Sequence, residues 1–121
     1  MDIYQEEILE HYRHPHNHGK IEGADVTQTE QNSSCGDRLT FSLKITDGKV
    51  AEIKFEGDGC AISQAAASML TDEVIGLTVA ELKKLQKEDV LELLGLDDLG
   101  PTRLRCALLP LQAITNAAAK L

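Results

Sequence analysis

Three cysteines sit where their neighbours favour chemistry over packing. Cys35 lies in the turn-forming stretch "NSSCGDRL", Cys60 in "GDGCAIS", where strand-like spacing gives way to helix-like spacing, and Cys106 in "RLRCALLP" behind two arginines. In a reducing cytosol, thiols in Gly- and Asp-rich turns are more often reactive or metal-binding than disulfide-bonded. Asp37, two residues beyond Cys35, can present a carboxylate to the same spot, and it also fits an Asx turn around Gly36. Cys35, Cys60, Cys106 and Asp37 make a four-ligand set for zinc or for an iron–sulfur cluster. The hard carboxylate oxygen is its weakest member toward a soft metal. Without metal, a Cys60 thiolate alone suits a redox or regulatory binding module, a reading that the aspartate and the third cysteine argue against.

Positioning these groups falls to a pair of strands. "LTFSLKI" alternates Leu39, Phe41, Leu43 and Ile45 on one face, "TDGK" supplies an Asp-Gly turn, and "VAEIKFEG" sets Ala51, Ile53 and Phe55 on the matching face. The spacing predicts a β-hairpin with one buried side. Cys35 precedes its first strand and Cys60 follows its second, so antiparallel pairing carries both to one end of the sheet. The helical run "CAISQAAASMLTDEVIG" opens at Cys60, where unpaired N–H groups and the helix dipole favour a thiolate. Gly57 and Gly59 leave room for a bound group. Cys106 joins the others if the last helix crosses the sheet end, bringing Arg103 and Arg105 near the thiolates.

The remaining segments frame this hairpin. "DIYQEEILEHYRH" spaces Tyr4, Ile8 and Tyr12 as one apolar helical stripe ending by Pro15, and "DVTQTE" is a short strand. "TVAELKKLQ" begins with Thr78 as a cap, and "EDVLELLGL" is a short amphipathic helix. "PTRLRCALLPLQAITNAAAKL" starts with Pro in a first-turn position and is expected to kink or break near Pro110. Strands precede helices, which describes an α+β fold: a small antiparallel three-stranded sheet with helices packed on one face, in a single domain over residues 1–121.

Composition excludes several classes of function. With 12 Lys and Arg against 20 Asp and Glu, the formal charge of −8 disfavours nucleic acid and anionic membrane surfaces as partners. No apolar run approaches the ~20 residues of a membrane span, and the first helix is acidic where a targeting peptide is basic, so a cytoplasmic location is expected. His11, His14, His16 and His18 crowd the end of the first helix and the loop after it, but no carboxylate or thiolate is spaced to complete a metal site there. They read as a solvated, turn-rich surface.

Four stretches, "EEILEHYRHPHNHG", "NSSCGDRLTFSLKI", "FEGDGCAISQAAASML" and "LGPTRLRCALLP", resemble in order and spacing the U-type iron–sulfur cluster assembly scaffolds, the IscU/NifU/SufU family. The resemblance covers nearly the whole chain. It implies a scaffold rather than a true enzyme, which takes sulfur from a cysteine desulfurase, binds iron and assembles a [2Fe–2S] cluster. Cys35, Cys60 and Cys106 would hold the cluster with Asp37 nearby, for delivery to apo iron–sulfur acceptor proteins. By the same resemblance Cys106 is the persulfide acceptor, zinc occupies the site in isolated protein, and Tyr4 matches a position that supports homodimers in some relatives. The alternative is a zinc-dependent sulfurtransferase of the SufU kind. Arg105 replaces the histidine that IscU members carry before their last cysteine, as in SufU, yet the SufU insertion between the second and third cysteines is absent. "LGPTR" stands where IscU members dock a specialised Hsp70 chaperone, so that partner is not expected.

Overall fold

Alternation of apolar and polar residues between positions 37 and 58 builds the centre of the molecule. The computed structural model describes residues 3–33, 36–96 and 99–121, with the side chains of all of these but Ile3 and Tyr4. Strands β1 (Val26–Asn32), β2 (Asp37–Thr46) and β3 (Lys49–Asp58) form an antiparallel sheet in the order β1-β2-β3. Leu39, Phe41, Leu43 and Phe55 are completely buried. Phe41 pairs with Phe55 across the ladder, their rings stacked 5.7 Å apart. Asp47 (φ 54°) and Gly48 (φ 75°) both adopt the left-handed conformation that a two-residue hairpin turn requires.

One residue on β3 departs from the predicted face. The ladder runs Lys44↔Glu52 and then Ile45↔Val50, so Ala51 is an extra residue in a β-bulge. The bulge turns Ala51 out to solvent and puts Val50 in the core in its place, while Ile53 and Phe55 keep the predicted side.

Helices cover one face of the sheet. They are α1 (Ile3–Arg13), α2 (Ala61–Val74), α3 (Val79–Lys83), α4 (Lys87–Leu94) and α5 (Pro101–Ala119). α5 packs on β1 and β2, α2 packs on β3 and α5, and α1 lies along α2. Small residues let these elements approach closely: Ala65, Ala66 and Ala67 of α2 and Ala107, Ala113, Ala117 and Ala118 of α5 are all buried. Thr78 and Glu81 form a reciprocal capping box at the start of α3, and Gly95 ends α4 in a left-handed cap. α5 begins with Pro at its first turn as expected, but it runs unbroken through Pro110, which is buried. The ring removes only the N–H that would serve the carbonyl of Cys106, while packed turns on both sides hold the helix together. Along α1, Ile8 is buried as predicted but Tyr12 is 47 % exposed, so the apolar stripe stops short of it.

The edge of β3 is covered by the loop after α1. Phe55 donates its N–H to the Asn17 carbonyl (2.9 Å) and accepts from the Gly19 N–H (2.8 Å). This spares the sheet an open edge and brings residues 16–18 toward α2.

At the other end of β3 the backbone approaches β2 closely. A Cβ on Gly57, whose φ is 139°, would fall 2.1 Å from the Arg38 carbonyl oxygen. Gly48 also has a positive φ but has open space around it. Gly57→Ala is therefore expected to destabilise the fold by about 2 kcal/mol or more, and Gly48→Ala by about 1 kcal/mol. Chemical denaturation midpoints check this, and equal losses in the two variants would show that the close approach does not matter.

Candidate functional site

The β2–β3 register assembles the site from the backbone up. Arg38 lies opposite Asp58, so the first residue of β2, Asp37, stands beside the chain where it leaves β3 for α2. Asp37 is buried, and its Oδ1 accepts the backbone N–H of Cys60 at 3.2 Å. Cys60 is the N-cap of α2: its Sγ accepts the Ser63 N–H at 3.5 Å, and the Ser63 hydroxyl donates to the Cys60 carbonyl at 3.1 Å. Ser63 is fully buried and packs over Gly59, where a Cβ would come within 2.3 Å of its Oγ. Only glycine leaves the preceding residue room for this cap.

α5 brings the third group. Its second turn places Cys106, only 4 % exposed, so that one ligand atom each from Asp37, Cys60 and Cys106 lies within 4.8 Å of the others. Donor atoms bound to one zinc ion stand about 3.3–3.8 Å apart. A modest closing of side chains therefore suffices for all three to share an ion. Two sulfurs and a carboxylate suit zinc and iron, and neither cysteine is tied up in a disulfide. Cys60 is exposed whereas Cys106 is buried, so solvent meets the site from the Cys60 side.

Of the sequence-predicted site residues, the fold brings Asp37, Cys60 and Cys106 together, and Cys35 lies outside the described residues. Arg103 and Arg105 are exposed. Arg105 borders a cavity of about 270 Å³ with Gln31, Asn32 and Ser33 at the end of β1. Ser63 was not singled out from sequence, because a serine at the third position of a helix carries no distinctive capping signal.

The histidine loop is not the loosely solvated surface its composition suggests. Asn17, in a left-handed conformation (φ 55°), donates to Thr71 Oγ1 at 3.0 Å and to Asp72 Oδ1 at 2.9 Å. The His16 N–H donates to Ser68 Oγ at 2.7 Å, and His16 Nδ1 meets Asp72 Oδ2 at 2.6 Å. His11 Nδ1 lies 2.6 Å from the same serine hydroxyl. Burial, reinforced by the neighbouring His16, lowers the His11 pKa from its ordinary value. The carboxylate missing from the local sequence thus arrives from α2, 56 residues beyond His16. His14 and His18 remain exposed, and His18 sits edge-on against Phe55.

Comparison with known proteins gives the chain its family. The family described as NifU-like N terminal domain matches residues 3–121. The chain is 36 % identical over 115 residues to the iron–sulfur cluster assembly scaffold protein IscU 1 of Archaeoglobus fulgidus, covering 95 % of this chain and 74 % of that one. It is 31 % identical over 134 aligned residues to the zinc-dependent sulfurtransferase SufU of Bacillus subtilis, covering 98 % and 90 %. The crystal structure of the N-terminal part of a nitrogen-fixing NifU-like protein from Brucella abortus superposes with a TM-score of 0.78 at 27 % identity, over 98 % of this chain and 93 % of that one. With the family match spanning all three strands, all five helices and the Asp37–Cys60–Cys106 cluster, the chain belongs to the NifU-like N-terminal domain family of U-type iron–sulfur scaffolds.

Proposed function

We propose that this chain is a scaffold on which iron–sulfur clusters are assembled and from which they are passed to apo-proteins. The observation that carries the reading is the convergence of Asp37, Cys60 and Cys106, from three separate elements, to within 4.8 Å. Cys35, two residues before Asp37 in the chain, completes a set of three thiols and one carboxylate. That set matches a [2Fe–2S] cluster as cargo, and residues 1–121 act as one cytoplasmic domain. Among the described residues no helix is long and apolar enough to cross a membrane.

Sulfur enters as persulfide from a cysteine desulfurase. The Cys106 thiolate attacks the outer sulfur of the desulfurase persulfide, one S–S bond forms as another breaks, and the desulfurase leaves as a thiolate. Because Cys106 is buried, its sulfur is reached only when the site opens on the Cys60 side. Asp37 has two tasks. It fixes the Cys60 amide, and it offers the one hard oxygen donor, the ligand that releases a soft iron–sulfur cargo most readily.

A second reading is favoured by Arg105 in the position preceding Cys106. Arginine cannot bind metal, so this chain lacks a nitrogen ligand there. The same donors then serve zinc, which holds thiolates deprotonated when bound, and the chain acts as a zinc-dependent sulfurtransferase. Anaerobic purification followed by metal, acid-labile sulfide and visible-absorption measurements separates the two. Coloured protein containing iron and sulfide supports the scaffold, and colourless zinc protein supports the sulfurtransferase.

Two variants probe the roles. Cys106→Ser is expected to abolish persulfide transfer from the desulfurase, and to weaken zinc binding by about 100-fold or more, while leaving the fold intact. Mass spectrometry reads the persulfide directly, and undiminished modification at Cys35 or Cys60 would move the acceptor role to that residue. Asp37→Ala is expected to keep its reconstituted cluster, with water or a small anion in the vacated position, and to deliver it to an apo-ferredoxin more slowly than wild type. Delivery at the wild-type rate would remove Asp37 from the release step.

A further inference from the structure

The histidine loop, α1 and α2 form a second cluster of ligating side chains outside the cysteine site. A ring nitrogen from His11, a ring nitrogen from His16 and a carboxylate oxygen of Asp72 lie within 4.8 Å of one another. The two imidazole centroids are 4.4 Å apart. Along α2, Asp72 lies 12 positions beyond the Cys60 cap, roughly 18 Å at the rise of an α-helix. The two clusters therefore cannot share one ion.

Three features go beyond a chance meeting of polar side chains. The rings are already oriented: Ser68 Oγ meets His11 Nδ1 and Asp72 meets His16 Nδ1, and among the described residues neither ring makes a hydrogen bond through its second nitrogen. The loop is pinned from both sides, by Asn17 on Thr71 and Asp72 and by backbone bonds to Phe55, so its geometry does not await a ligand. The cluster also opens on a cavity of about 320 Å³ whose other walls include the carboxylates of Glu7, Glu10 and Glu73. Those carboxylates raise the local concentration of cations and can add oxygen ligands.

We propose that His11, His16 and Asp72 form a second metal site, selective for a divalent first-row transition ion. Two imidazoles and a carboxylate are borderline donors that bind Zn²⁺, Co²⁺ or Fe²⁺ in preference to Mg²⁺ or Ca²⁺, which take oxygen. Asp72 can ligate the ion itself or hold the His16 ring through Nδ1, as carboxylates commonly hold metal-bound imidazoles. Its loss weakens the site either way. The thiols take no part.

Titration of Co²⁺ into the full chain, freed of metal by chelation, tests this, because thiolate-bound cobalt has an intense charge-transfer absorption that nitrogen- and oxygen-bound cobalt lacks. The wild-type chain is expected to bind one ion with that absorption and a second without it. His16→Ala and Asp72→Asn should each weaken the second ion by about 100-fold or more, leaving the thiolate signal unchanged. Asp72→Asn preserves side-chain shape, and circular dichroism confirms that each variant is folded. Undiminished binding of the second ion in both variants, or no ion outside the thiolate signal in wild type, overturns the site. If the thiolate signal is absent from wild type while one ion is still bound and is lost in His16→Ala, the cysteine-site reading fails and this one stands.

Discussion

The hydrogen bond from the Cys60 N–H to the buried Asp37 carboxylate ties strand to helix at the end of the sheet where the cysteine site lies. It links the first residue of β2 to the N-cap of α2, two points 23 residues apart in sequence. It exists only because the β2–β3 ladder sets Arg38 against Asp58. An amide donating to a charged acceptor in a buried setting contributes about 1.5–3 kcal/mol. A slip of one residue in the ladder would turn Asp37 to the opposite face and lose the bond along with the core positions of Leu39, Phe41 and Leu43. The packing that buries the hairpin and the geometry that brings Asp37 to Cys60 are therefore selected by the same register.

α2 extends this organisation away from the sheet end. Its buried side mixes small apolar residues with three hydroxyls, Ser63, Ser68 and Thr71, each of which has a hydrogen-bonding task. Ser63 closes the Cys60 cap, Thr71 donates to the Ser68 carbonyl, and Ser68 meets both His11 and the His16 backbone. Buried hydroxyls in a helix stabilise only when satisfied in this way. They also make the helix a ruler with one ligand cluster at its start and another near its end. The alanines between them allow the close packing on β3 and α5 that holds both ends in place.

Much of this was legible in the sequence, and the parts that were not have physical reasons. Leu39, Phe41 and Leu43 alternate cleanly, Asp47-Gly48 fits a hairpin turn, and Thr78 caps α3, because these signals depend on neighbours within a few residues. Antiparallel pairing predicts that the turn before β2 and the start of α2 share one end of the sheet; Asp37 and Cys60 do meet there, while Cys35 lies outside the described residues. A strict period of two cannot anticipate an inserted residue, so Ala51 was placed in the core where Val50 belongs. Pro110 carries a strong local signal for a kink or break, and tertiary packing overrides the break. The histidine cluster was missed because its carboxylate comes from another element, a contact that no local spacing encodes.

The origin of the three clustered donors in separate elements bears on how a bound group would act on the fold. Asp37 belongs to a strand start, Cys60 to a helix cap and Cys106 to the second turn of another helix, so an ion or cluster bound by all three cross-links β2, α2 and α5. Binding to such a site stabilises the docked arrangement by the free energy of binding, and loosening any one element weakens binding by the same amount. The Cys60–Asp37 bond joins β2 to α2 without metal, and the packing of α5 on the sheet and on α2 seats Cys106 beside them. Emptying such a site therefore removes from the docked arrangement of β2, α2 and α5 the free energy that the bound group contributed.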